Sequence, residues 1–184
     1  QVLNGMNRKT KSGEDIRFQI KWPNDIYAGD RKVAGILIEN MLQGKSIGWS
    51  IVGIGLNVNQ TVFLSDAPNP VSLAMLTEKE WDRATIIQNL IATLQSWRPY
   101  LLPASDNTDI LRETYGKNMY RHEGFYPYVE REVSVAPTAI AQEKNNQCFE
   151  AEMIGVTDNG ELQLRLLSGE KRQYHFKQIR FVIE

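Results

Sequence analysis

The stretch that decides the fold is Lys21-Trp-Pro-Asn-Asp25, followed by Asp30-Arg-Lys-Val-Ala-Gly-Ile-Leu-Ile-Glu39. From Ile16 to Trp22 the chain reads as extended, with Phe18 and Ile20 on one face and Arg17, Gln19 and Lys21 on the other. Pro23 stops regular pairing and holds Trp22 out of the helical region, and Asn24-Asp25 predicts a turn. A second extended run covers Lys32 to Met41, bounded by Ala28-Gly-Asp30 and Gln43-Gly44. A third, rich in β-branched and aromatic residues, covers Ser46 to Asn59. Three strands this close together predict an antiparallel meander.

Outward from there, a polar loop runs from Gln60 to Pro70. Beyond it, Ile86, Ile87, Leu90, Ile91, Leu94, Trp97 and Leu101 recur at the spacing of a helix buried along one face. Either a Thr77–Glu80 capping box or Asp82 starts that helix, and Pro99 and Pro103 limit it. A shorter helix is expected from Thr108 to about Lys117. Upstream, Val2-Leu-Asn-Gly-Met6 reads as the end of an amphipathic helix, so a chain that has lost its preceding segment is expected.

Past Glu123 the texture changes to short alternating runs. Glu150 to Val156 and Leu162 to Leu166 flank the hairpin turn Asp158-Asn-Gly160, Ser168-Gly-Glu170 makes a second turn, and Tyr174 to Ile183 supplies further strands. These predict a small β-barrel with Tyr174 and Phe176 in its core. The expected domains are 1–122 and 123–184.

The chain has 184 residues, 42% apolar and 23% charged, which suits a packed core. A net charge of −1 carries no general footprint for nucleic acid, and Lys171, Arg172, Lys177 and Arg180 are expected to form a solvated face. Cys148 is the only cysteine, which excludes an internal disulfide; it is expected to pack as a small apolar side chain. No apolar run is long enough to span a membrane, and residues 1–10 lack a signal-peptide pattern, so an intracellular, cytoplasmic protein is expected. Asn59-Gln-Thr61 fits the glycosylation sequon by chance on that view. His122 and His175 lack metal-ligand spacing.

Alternation along the third run places Gly53, Gly55, Asn57 and Asn59 on one face. Two glycines ahead of an asparagine leave a bare strip on which a flat ligand can lie while the amide reads its edge. Equally, the glycines can serve only close packing or a bulge. Lys32 opens an apolar strand, where an ammonium can neutralise a carboxylate or phosphate, or simply guard a strand edge. Gly44-Lys-Ser46 is no phosphate loop, because Glu39 stands where such a loop needs glycine; Gly53-Ile-Gly-Leu-Asn57 lacks the third glycine of a dinucleotide fingerprint.

The order Lys-Trp-Pro-Asn-Asp, then Lys-Val-Ala-Gly-Ile-Leu-Ile-Glu, then Gly-Ile-Gly-Leu-Asn-Val-Asn resembles the biotin protein ligases in residues and spacing, over roughly Phe18 to Tyr120 and more loosely beyond. The resemblance implies an α+β fold: a mixed sheet of the class II aminoacyl-tRNA synthetase/biotin ligase type with helices, then an SH3-like barrel. It implies that biotin and ATP give biotinyl-5′-adenylate, and that a lysine of a biotin carboxyl carrier protein then attacks it. Lys32 matches the catalytic lysine at the biotin carboxyl and α-phosphate, and Lys21 the lysine flanking that phosphate. Gly35 matches the glycine beside bound biotin. Asn24 and Asp25 match the pair near the nucleotide phosphate, with Asp25 beside its Mg2+, and Asn57 matches an adenylate contact.

The resemblance also implies a Ser-Thr-Asn segment and a Gly-Arg-Gly-Arg-type loop enclosing biotin, neither of which the sequence contains. The front of the catalytic domain is therefore expected to be missing, and little or no ligase activity is expected of this chain alone. Lipoate protein ligases share the chemistry and fit the Lys-Trp-Pro-Asn-Asp pattern less well. A non-catalytic fragment that binds only a carrier domain is the alternative of another class. A homodimer is compatible with the exposed strand edges.

Overall fold

The computed structural model describes residues 3, 9–10, 13–64, 69–101, 108–131 and 148–183. The expected helix end at Val2–Met6, except Leu3, and Pro103 lie outside them. The chain forms two compact units, Gln1–Tyr115 and Gly116–Glu184. The fold is α+β, and its ladders are antiparallel.

In the first unit, strands β1 (Phe18–Lys21), β2 (Asp25–Ala28), β3 (Arg31–Gln43) and β4 (Ser46–Leu56) pair in that order. The meander expected from sequence therefore has four strands. The turn occupies Trp22–Asn24, across a cis Trp22–Pro23 peptide, and Asp25 already begins β2. Asp25-Ile-Tyr-Ala28 is too short to display a period of its own. Pairing is antiparallel throughout these ladders, where the resemblance implies a mixed sheet; parallel pairing among the described residues is an isolated bridge, Lys32 to Pro70.

The register assigns the two faces. Phe18 pairs with Ala28, and Ile26 with Ala34, which in turn pairs with Leu56. This face meets the core, a cluster of Ile16, Phe18, Ala28, Val33, Ala34, Val71, Leu73 and Ile86. Helices α1 (Leu73–Thr77) and α2 (Arg83–Trp97) contribute Leu73 and Ile86 to it. A 3-10 turn at Arg98–Leu101 holds Pro99 and closes α2, and α3 covers Thr108–Lys117.

Asp82 is the cap of α2: its carboxylate accepts from the N–H groups of Ala84 (3.2 Å) and Thr85 (3.0 Å). Thr77 forms no capping box; its hydroxyl donates to the Leu73 carbonyl and accepts from the Trp81 indole. The apolar stripe of α2 is not buried as expected. Ile86 is buried and Leu90 packs against the core, whereas Ile87, Ile91 and Leu94 are exposed. Ile87, Ile91 and Leu94 recur every three or four residues, one position on from Ile86 and Leu90. The stripe is therefore wider than the core beneath it.

In the second unit, β5 (Phe125–Glu130), β6 (Cys148–Val156), β7 (Leu162–Leu166), β8 (Lys171–Tyr174) and β9 (Ile179–Phe181) form an antiparallel sheet in the order β8-β7-β6-β5-β9. Its hairpin turns use Gly160 and Gly169, both in the left-handed region that glycine adopts freely. Tyr128, Ala151, Met153, Leu162, Leu164, Tyr174 and Phe181 are buried, with the Tyr128 and Phe181 rings edge-on at 5.0 Å. Tyr174 thus sits where expected. Phe176 does not: it lies in the turn after β8 and is exposed, so the alternation that fits a strand ends at Tyr174. Cys148 is exposed rather than packed, because β6 begins there and its neighbour Phe149 turns inward against Tyr128. Arg172 is held by Glu130 and Glu170.

Candidate functional site

The face of the first sheet opposite the core carries most of the candidate site residues. Lys21 pairs with Asp25, Asp25 with Gly35, and Gly35 with Gly55, so these four residues form one row across all four strands. The neighbouring row is Gln19, Tyr27 and Lys32, brought into line by a bulge at Ile26/Tyr27. The two rows are joined diagonally. Lys32 reaches back to Asp25, with Nζ 2.5 Å from Oδ1, while the Lys21 ammonium lies 5.3 Å from the centroid of the Tyr27 ring.

Gly35 is where a side chain would press on this ion pair. A Cβ there would meet Asp25 Oδ1 at 3.3 Å and Lys32 Nζ at 3.4 Å, so the ion pair lies over a bare stretch of β3. Above Gly53 and Gly55 the nearest atoms to an added Cβ are carbonyl oxygens at 3.8 Å, which leaves the strip open. Next along that face come Leu37, Glu39 and Ile51, then Met41 and Trp49. The sheet thus offers cations at one end, a side-chain-free middle and an apolar far end.

The backbone under Lys32 is fixed from outside the sheet. Its N–H donates to the Asn69 carbonyl and its carbonyl accepts from Val71, both at 2.9 Å. Side-chain exposures of 28% and 20% for Lys32 and Asp25 leave the pair reachable while partly desolvated.

The asparagines divide in role. Asn24 is a brace: its amide donates to the Ile36 carbonyl at 2.7 Å, and its own carbonyl accepts from the Ile36 N–H at 2.8 Å. Asn57 lies just past β4, because the chain leaves the sheet there to meet α1; the Leu73 N–H donates to the Asn57 carbonyl. Its side-chain amide donates to the Val71 carbonyl at 3.2 Å. Asn59 clamps the Trp81 backbone from both ends, donating to its carbonyl (2.9 Å) and accepting from its N–H (3.0 Å).

Lys32, Asp25 and Gly35 therefore meet within one contact shell, Lys21 shares their face, and Asn24 and Asn57 hold the adjoining backbone. Tyr27 is the neighbour that sequence reasoning passed over, and its only signal is the alternation inside the short β2. Among the described residues no cluster of three His, Cys, Asp or Glu is placed to hold a metal ion. Asp25 is engaged by Lys32 and the Asn24 amide by Ile36, so these side chains do not by themselves fit a resident magnesium ion.

Residues 1–57 match the Biotin/lipoate A/B protein ligase family, a segment that includes Lys21, Asn24, Asp25, Lys32, Gly35 and Asn57. The bifunctional ligase/repressor BirA of Bacillus subtilis (strain 168) is 28% identical over 165 residues, which cover 86% of this chain and 45% of that protein. The biotin–[acetyl-CoA-carboxylase] ligase of Paracoccus denitrificans is 28% identical over 166 residues, 86% of this chain and 61% of that protein. The chain is thus similar to biotin protein ligases over most of its length. The ligase fold is seen in the biotin protein ligase of Aquifex aeolicus: its apo structure has a TM-score of 0.63 at 20% identity, covering 91% of this chain and 66% of that one. The same ligase is also known in complex with biotin and ATP, with a TM-score of 0.57 at 20% identity and coverage of 90% and 62%. The chain spans less than half the length of the Bacillus ligase/repressor it matches.

Proposed function

We propose that the protein to which this chain belongs activates biotin with ATP and transfers it to a lysine of a carrier protein. The observation that carries this is the Lys32–Asp25 pair lying over Gly35, beside the open Gly53–Gly55 strip. A carboxylate ligand laid along that strip brings its negative end to Lys32, and its apolar body runs toward Leu37 and Ile51. A carboxylate oxygen of biotin attacks the α-phosphorus of ATP, the α–β phosphoanhydride bond breaks, and pyrophosphate leaves. Lys32 stabilises the charge gathering between the carboxylate and the α-phosphate, and Lys21 that of the adjoining phosphate oxygens. The amine of the acceptor lysine then attacks the acyl carbon, AMP leaves, and the amine gives up its proton.

The family match over residues 1–57 and the biotin and ATP bound by the Aquifex relative support this assignment. Asp25 orients the Lys32 ammonium, Asn24 braces the turn beside it, and Asn57 contacts the adenylate. Magnesium belongs here to the nucleotide, as counter-ion of its phosphates, and no step depends on it. The second unit, with its short strands and tight turns, is assigned as the SH3-like barrel. The protein works in the cytoplasm with a biotin carboxyl carrier protein, and a homodimer is compatible with its open strand edges.

Biotin-dependent ATP–pyrophosphate exchange is the test, on this chain and on a longer polypeptide that carries it. Exchange that ignores biotin in both would refute the assignment. Exchange by the longer one alone would place part of the site outside these residues. Because the matching family also includes lipoate ligases, lipoate is run in parallel; preference for it would move the substrate to that acid.

A further inference from the structure

We infer that Tyr27 is the positioning residue for Lys21, holding its ammonium over the aromatic ring at the phosphate end of the site. The inference deepens the proposed function, because it rests on Lys21 acting on the nucleotide.

The two site lysines are supported in different ways. On the register alone, Lys21 stands directly opposite Asp25. That carboxylate, however, carries a contact of 2.5 Å from Lys32, a strand further on. Lys21 leans the other way, along the diagonal to Tyr27, with its ammonium 5.3 Å from the ring centroid. Antiparallel diagonals are within reach of long side chains, and a cation within about 6 Å of a ring centroid is attracted by its negative face. Tyr27 lies between Gln19 and Lys32 in its row and is 1% exposed, so the ring cannot swing away. The ring face thus orients the ammonium at this end of the sheet.

Burial and the nearby charges of Asp25 and Asp30 push the Tyr27 phenol up to about 12. The ring therefore stays neutral through the working range. An ionised phenolate would bind Lys21 as an ion pair and compete with the nucleotide.

Replacing Tyr27 by Phe and then by its mono-, di- and pentafluorinated analogues keeps the shape while draining the ring's negative face. The series is read by ATP–pyrophosphate exchange in the longest polypeptide that carries this chain. The KM for ATP should rise stepwise by about 2- to 30-fold across the series, with the KM for biotin little changed. Fluorination should have no effect in a Lys21→Met background. A flat series, with Lys21→Met itself impaired, would overturn the role of Tyr27 and leave the proposed function standing. Wild-type exchange in Lys21→Met would overturn both the role of Tyr27 and that of Lys21.

A readout independent of activity is the Lys21 ε-methylene proton signal of the 184-residue chain. It should be displaced upfield by the ring current and keep that displacement in Tyr27→Phe. An undisplaced signal would overturn the contact even if no exchange is ever found.

Discussion

Lys32 on β3 meets Asp25 on β2 at 2.5 Å, directly over the Cα of Gly35. The pair crosses between adjacent rows of the sheet, so it exists only because the bulge at Ile26/Tyr27 draws Lys32 into line with Tyr27. Its worth to folding is modest, since both side chains are partly exposed, and its worth to chemistry lies in where it puts a positive charge.

In the longest polypeptide that carries this chain, Lys32→Ala should accordingly cut biotin-dependent exchange by about 10²- to 10³-fold while changing stability by less than about 1 kcal/mol. Exchange assays and thermal melts on the same preparation check both halves. Wild-type turnover would remove Lys32 from the mechanism.

Gly35→Ala tests the bare strip. The new methyl would stand 3.3 Å from Asp25 Oδ1 and 3.4 Å from Lys32 Nζ, both at the ends of flexible side chains. The fold should absorb it with little change in Tm. The ammonium would move by a few tenths of an ångström, so exchange should fall by about tenfold or more. Equal kcat/KM in the two proteins would show that the strip tolerates a side chain.

Asn57→Ala and Asn59→Ala make a contrasting pair. Asn59 satisfies both backbone groups of Trp81, and removing it leaves two partly buried polar groups unpaired. A loss of about 1–3 kcal/mol in denaturant unfolding is expected, with little effect on the ATP requirement. Asn57→Ala should instead raise the ATP requirement more than the biotin requirement.

Asp82 gives the first unit an acid-sensitive helix start. Hydrogen bonds from the Thr85 side chain and the Thr85 and Ala84 backbones hold its carboxyl below the ordinary value of 3.8. A carboxylate lowered on folding contributes stability above its unfolded pKa and loses it as pH falls through the folded one. Asp82→Asn should keep the cap at neutral pH and flatten the part of the stability profile below about pH 4. Urea midpoints at pH 3 and 7 measure this, and an unchanged profile would assign acid sensitivity elsewhere.

In the second unit, the fully buried Tyr128 hydroxyl has no hydrogen-bond partner among the described residues. Tyr128→Phe should leave stability unchanged or raise it by up to about 1 kcal/mol. Clear destabilisation in a melt would mean that the hydroxyl is satisfied.

The long strands were legible because Lys32 to Met41 and Ser46 to Leu56 are long runs rich in apolar and β-branched residues between glycine-containing turns, and the hairpins of the second unit because Asn-Gly and Ser-Gly turns punctuate them. The four-residue β2 was not, and with it went Tyr27, since a single alternation cannot be told from a turn. The α2 stripe was legible as helix and misleading as burial: spacing identifies which residues share a face, and only the extent of the core determines how many are covered. Among the site residues, Lys32 and Gly35 could be paired from motif order alone. The diagonal split of the two lysines depends on a bulge, which no periodicity reports.

The outer half of the β3–β4 hairpin has one more consequence. Both of its faces are apolar and exposed, with Leu37, Met41 and Ile51 on one and Ile38, Leu42 and Val52 on the other. A one-residue slip would exchange one oily surface for another, so desolvation cannot choose the alignment. The choice falls to local hardware: the left-handed Gly44 at the tip, the irregularity at Met41/Leu42, and the Ser50 hydroxyl bonded to Asn40. The ribbon is thus aligned from both ends, by Ala34 and Leu56 against the core and by the Gly44 turn at the tip, and lengthening that turn by one residue would set the two in conflict across Gly53 and Gly55.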